Sequence, residues 1–221
     1  MKKTLLLILT MTALTAFGQK SFHYNKDFKK ILEKTKDAND DLSYDKLLKR
    51  FNTNDTTLTD YEVLSLLIGF TNQPAFKPYK DLKTERAIKS LNSEKKYQEA
   101  LDTANLFLIN HPVSQQAIIE KSFALDKLGQ EDSARYYLYR FRKIMQAMAF
   151  SGKDKEPYFA LGPADGQNFI IKTMSASIGV MGSGSDKHGN FLDILEAKFK
   201  DGTSQNIYFI IQHATDKMFG K

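Results

Sequence analysis

Four histidines and one polar stretch mark where this chain could do chemistry: His23, His111, His188 and His213, and GSGSDKHGNFLD over residues 182–193. Zinc needs His, Cys or carboxylate ligands at short helical or loop spacings. No two of these histidines stand at such a spacing, and the chain has no cysteine. A phosphate loop needs GxGxxG or Gly-Lys-Ser/Thr opening a helix. Gly182, Gly184 and Gly189 supply neither, and the segments on either side read as strands. A calcium loop begins well, with Asp186, His188 and Asn190 at its first, third and fifth positions. It then places Phe191 where glycine is required and Ala197 where glutamate is required. An irregular oxygen cage of Asp186, Asn190 and Asp193 is the weak metal reading. The stronger one is a mobile connection between strands, where glycine supplies positive φ and Asp or Asn side chains close the turn. No metal and no cofactor is expected.

His188 and His213 both fall in the C-terminal third and could meet in space. A triad with Ser183 or Ser185 would also need a nucleophile held on a strained turn, and the sequence shows none. No catalytic residue is assigned. If the chain is an enzyme, it is a hydrolase of peptide or glycan with Asp186, His188 and Asp193 near its site.

A binding surface is easier to read. In ARYYLYRFRKIMQAM, residues 134–148, helical periodicity puts Ala134, Tyr137, Leu138, Phe141, Ile144 and Met145 on a core face. Arg135, Tyr139 and Arg142 then form one outer stripe, and Tyr136, Arg140 and Lys143 another. Interleaved guanidinium and aromatic groups suit an acidic peptide or a sugar polymer, by ion pairing and stacking. The plainer alternative is a solvated face, or one covered by the C-terminal region. Arg135, Tyr139 and Arg142 are the candidate binding residues.

The elements that position these groups are legible in outline. Phe28, Ile31 and Leu32 fall on one helical face, as do Tyr44, Leu47, Leu48 and Phe51, with Ser43 placed to cap the second helix. Thr59 and Glu62 form a capping box opening a helix from Asp60 to about Phe70. That helix is apolar almost all round, so it is expected to be central. A loop follows over residues 71–81, with Pro74 and Pro78.

Ala100 and Ala134 lie 34 residues apart, each a small residue in a similar setting. Tyr97, Ala104, Phe107 and Pro112 accompany the first, and Ala117, Leu128, Gly129 and Tyr137 the second. The pattern, over about 93–148, resembles a degenerate tetratricopeptide repeat, without its usual tryptophan. After Phe150 the texture changes. SGKDKEP is a polar break, Asp165 is placed to cap a short helix, and three β-type segments follow: 177–183, 190–199 and 205–211. Asp201-Gly202 joins the last two as a hairpin.

The expected fold class is α+β: a helical, tetratricopeptide-like N-terminal part packed with a small C-terminal antiparallel sheet. The expected divisions are 1–18, 19–150 and 151–221. YFALGPADGQNF, MGSGSDKHGNFLDILE and NIYFII, behind a helical repeat, resemble an uncharacterised family of secreted Bacteroidetes proteins, the domain-of-unknown-function family numbered four-nine-one-nine. The resemblance implies an envelope or secreted location and carries no catalytic residue.

Location has its own signal. Lys2 and Lys3 precede the apolar run from Leu5 to Phe17, and small residues at Ala16 and Gly18 permit cleavage before Gln19. That is the layout of a secretory signal peptide, too short for a membrane anchor. No later run is long enough to span a membrane. Net charge is +6, or +4 once Lys2 and Lys3 leave, an ordinary solubility charge that does not point to nucleic acid. These readings converge on a periplasmic or secreted, non-catalytic protein-interaction module whose partner is another envelope or extracellular protein. The alternatives are the envelope hydrolase and a calcium-stabilised binding module.

Overall fold

The structure is a computed structural model and describes residues 21–220; the segment 1–18, read from sequence as a signal peptide, lies outside the described residues. Seven helices come first: α1 (Tyr24–Lys36), α2 (Tyr44–Asn52), α3 (Asp60–Phe70), α4 (Pro78–Ser93), α5 (Tyr97–Asn110), α6 (Gln115–Lys127) and α7 (Glu131–Ser151). Then come β1 (Tyr158–Phe159), α8 (Asp165–Lys172), β2 (Ser177–Ser185), β3 (Phe191–Lys198), β4 (Ser204–Ile210) and α9 (Gln212–Phe219). The fold class is α+β, with helices N-terminal and the sheet C-terminal. Among the described residues, no helix is long and apolar enough to cross a membrane.

α3 is the hub. Its capping box forms as expected, with Thr59 Oγ1 accepting from Glu62 N–H and the Glu62 carboxylate accepting from Thr59 N–H. Every residue from Val63 to Phe70 is buried, because α1, α2 and α7 all pack on this helix. Ser43 does stand at the N-cap of α2, but its side chain makes no cap hydrogen bond. α4 begins inside the stretch read as loop. Pro78 occupies its first turn, where a missing N–H costs nothing, and the Asp81 carboxylate accepts from Lys77 N–H at 3.1 Å.

The sheet runs β1-β4-β3-β2. β2–β3 and β3–β4 are antiparallel, whereas β1 pairs parallel to β4 through Tyr158 and Phe159. The sheet is therefore mixed rather than antiparallel throughout, since a two-residue edge strand is too short to show the period-two pattern. The β3–β4 turn matches its Asp-Gly signal: Gly202 sits at φ 86° and Asp201 Oδ1 accepts from Thr203 N–H at 2.9 Å. α8 lies so close to the sheet that a Cβ at Gly166 would come within 2.7 Å of the Phe209 ring.

One continuous core joins α1–α3, α7 and the sheet; Phe22, Phe51, Phe150, Phe159 and Phe209 are all fully buried in it. A smaller core lies among α4–α7, built on Ile88, Ala100, Ala104, Ala117, Ala124 and Ala134. The two alanines that set the 34-residue spacing thus both sit at helix contacts.

Candidate functional site: a groove along α4 and α6

One face of α4 carries Leu82, Glu85, Lys89 and Asn92, spaced three or four residues apart. Opposite them, α6, α7 and α8 leave a groove. Its wider part, about 520 Å³, is bounded by Lys89 and Asn92 on α4, Glu120 and Phe123 on α6, Arg135 and Leu138 on α7, and Lys172 on α8. Past Lys89 it continues into a cavity of about 170 Å³ bounded by Glu85, Arg86, Gln116, Gln167 and Asn168.

The wall between α8, α6 and α4 is a hydrogen-bonded amide network. Asn168 Nδ2 donates to Gln116 Oε1 at 2.8 Å, and Gln116 Nε2 to Glu120 Oε1 at 2.7 Å. Asn92 Nδ2 donates to the other Glu120 oxygen at 2.7 Å. The Glu120 carboxylate is therefore already engaged. Asp126 pairs with Lys127, and Glu131 with Arg135. By contrast, the side chains of Arg86, Lys89 and Lys172 make no ion pair or hydrogen bond among the described residues. Arg135 apart, the groove cations are unpaired, whereas Asp126 and Glu131 each have a cation and Glu120 is held by amides; the surplus of unpaired positive charge favours an anionic occupant.

At the far end lies an acid–histidine cluster. His111 Nδ1 faces Phe107 O and Nε2 faces Ala75 O, both at 3.1 Å, with Asp81 Oδ1 3.3 Å away. Burial works against a charge on this ring, but the Asp81 carboxylate and the two carbonyls outweigh it and raise its pKa above the ordinary histidine value. Burial pushes the Glu85 carboxyl up to about 7, with the charges of Asp165 and Asp81 adding to it, against the hydrogen bond from Ser114 Oγ at 2.6 Å. Burial likewise lifts Asp165 to about 6, opposed by Gly162 N–H at 3.1 Å. Asp165 opens α8, but the N-cap position belongs to Ala164; its carboxylate holds the 162–165 turn instead. Ser114 Oγ also accepts from Ala117 N–H as the cap of α6. The space here is about 30 Å³, room for roughly one water. This cluster joins three segments: α4, the α5–α6 connection and the turn before α8.

The residues read from sequence are placed as follows. Arg135 stands on the groove wall, ion-paired to Glu131 and Asp132. Tyr139 is half-buried and Arg142 exposed, continuing the stripe along α7 beyond the groove. The second stripe is covered by the α2–α3 connection rather than by the sheet. Tyr136 OH and Arg140 donate to Asn52 O, and Lys143 Nζ donates to Leu58 O at 2.6 Å.

Much of GSGSDKHGNFLD is strand, and only 186–190 form the turn. Asp186 Oδ1 accepts from the N–H groups of His188 and Asn190, both at 2.8 Å, and Asp186 Oδ2 from Asn190 Nδ2 at 2.7 Å. Asp193 belongs to β3, on the face of Leu195 and Ala197, where burial pushes its carboxyl up to about 6. Among the described residues, no group of three or more His, Asp or Glu side chains is arranged to hold a metal ion. His188 is exposed at the turn, whereas His213 is buried among Tyr24, Phe28, Phe76 and Phe159. The fold does not bring these two histidines together with Ser183 or Ser185, both of which lie exposed on β2.

Sequence reading missed Asp81, Glu85, Arg86, Lys89, Asn92 and Lys172. The i, i+4 spacing of Glu85 and Lys89 is a signal in the sequence, but one that ordinary solvated helix faces share. No curated protein and no solved structure gives a significant match to the chain. The family model described as a domain of unknown function, DUF4919, matches residues 29–219, and the chain belongs to that family.

Proposed function

We propose that the protein is a non-catalytic binding module of the cell envelope, exported by the segment from Lys2 to Gly18, whose α4–α6–α7 groove holds an acidic segment of another envelope or extracellular protein. The observation that carries this reading is the imbalance in the groove. Arg86, Lys89 and Lys172 have no counter-ion among the described residues, while Glu120, Asp126 and Glu131 are each engaged. On this reading the hairpins α4–α5 and α6–α7 are a degenerate tetratricopeptide-like pair, a scaffold that binds through an extended surface without reactive groups. Arg135, Tyr139 and Arg142 extend the surface along α7.

The test is titration of a fluorescent oligoglutamate peptide against the processed protein. Binding should weaken steeply as salt screens the rim. Charge reversal at Lys89→Glu with Lys172→Glu should reduce affinity by about tenfold or more, equivalent to about 1.4 kcal/mol, and leave the fold intact. Arg135→Ala with Arg142→Ala should reduce it less. Equal affinity for wild type and the Lys89/Lys172 variant would remove the groove from consideration. Export is checked separately, by a mature N-terminus at Gln19.

A further inference from the structure

A second cavity, of about 300 Å³, lies between α2, α5, α6 and α7 and shares no lining residue with the groove. Two cations face it, Lys121 and Arg140, and each is only 9% exposed. Lys121 Nζ stands 3.8 Å from the centre of the Tyr137 ring and has no hydrogen bond or ion pair among the described residues. The Arg140 guanidinium lies 5.2 Å from the same ring and 4.5 Å from that of Tyr136. Its hydrogen bonds go to Asn54 Oδ1, Asn52 O and Tyr136 OH, all of them neutral.

Charged side chains this buried are ordinarily paired, because desolvation without a counter-charge is costly. Here two positive charges flank one tyrosine with no carboxylate beside them. Ring faces offset part of that cost, but a ring carries no net charge. The rest of the wall is mixed: Leu48, Leu108, Ile109, Pro112 and Ile118 supply apolar surface, and Asn52 and Asn105 stand beside them. Ile109 is 72% exposed, an apolar side chain left open to solvent beside the charged pair.

We propose that this cavity is a binding site for a small organic carboxylate with an apolar body. The carboxylate would sit against Lys121 and Arg140, supplying the missing counter-charge, and the body would cover Leu108, Ile109 and Ile118. About 300 Å³ lies at the lower end of the range for small-molecule sites. Inorganic phosphate would satisfy the cations and leave the apolar wall uncovered. A neutral amide of the same length would do the opposite.

The experiment is NMR titration of the processed protein with hexanoate, hexanamide and inorganic phosphate, following backbone amides around Asn105, Ile118 and Tyr137. Hexanoate should give saturable shifts confined to these elements. The other two probes should bind about tenfold more weakly or worse, the usual scale for losing a charge-assisted contact. Lys121→Met keeps the apolar stem and removes the charge, so it should lose hexanoate by a similar factor, and the spectrum itself reports whether it folds. Ile109→Asp, on an open position, should weaken hexanoate by placing a carboxylate beside the pair. Lys89→Met, in the groove, should leave hexanoate binding unchanged, which separates this site from the oligoglutamate reading. The proposal is overturned if hexanoate gives no saturable shift, if hexanamide or phosphate binds as well, or if Lys121→Met and Ile109→Asp both bind like wild type.

Discussion

His213 sets a steep acid limit on stability, and the size of the effect can be worked out. The ring is fully enclosed, stacked on Phe159 at 4.6 Å and Phe28 at 5.5 Å, with Tyr24 OH 3.4 Å from Nδ1 and no partner for Nε2 among the described residues. Burial pushes its pKa from 6.5 down to about 3, against the backbone of Ala160 and Leu161, which pulls it up. Between those values the unfolded chain takes up a proton that the folded chain refuses. As far as this residue goes, stability is therefore complete above pH 6.5 and falls as the pH drops. Each pH unit removes about 1.4 kcal/mol, so by pH 4.5 the loss from this one residue is about 3 kcal/mol. That is a large part of the ~5–15 kcal/mol that holds a typical domain together. His213→Phe preserves a flat ring in the aromatic stack, removes the unpartnered nitrogen, and should stay within about 1 kcal/mol of wild type at pH 7.5. The assay is urea unfolding of both proteins from pH 4.5 to 7.5, read as the difference between them, which cancels the carboxylates common to both. The variant should gain on wild type by about 3 kcal/mol across that range. A pH-independent difference would refute a neutral, buried His213.

Asp165 and Glu85 predict the opposite slope. Their carboxyls, lifted to about 6 and about 7, hold protons that the unfolded chain releases from about pH 4 upward, so stability falls as pH rises. Asp165→Asn should remove roughly 3 kcal/mol of that loss between pH 4 and 7; the same pH slope in wild type and variant would count against it. Ala100 is fully buried and Ala134 nearly so, and either one changed to Leu should overpack its helix contact by about 1–3 kcal/mol, read as a lowered unfolding midpoint. Calcium titration should leave the melting temperature unchanged, because the Asp186 oxygens already accept from His188 and Asn190 and binding to the folded state alone would raise it. A rise abolished by Asp186→Ala would restore the oxygen cage.

Sequence alone determined what depends on near neighbours along the chain. The Thr59–Glu62 box, the apolar circumference of α3, the small residues at Ala100 and Ala134 and the Asp201-Gly202 turn all carry local geometric requirements, so their residue types announce them. The α+β division followed from the change of periodicity after Phe150. Tertiary structure decided what depends on distant segments meeting. β1 is two residues long and exists because β4 offers it an edge. His111 meets Asp81, 30 residues earlier in the chain, which raises its pKa against burial, and burial against the turn at Asp165 lifts the carboxyl of Glu85. Arg135 and Arg140 read alike as basic positions on α7. Yet one lines an open groove and the other lies under the loop from Asn52, because a rotation of five residues around a helix selects a different neighbour. A helix face can be read from its own sequence; what comes to lie against that face is set by the packing of the whole chain.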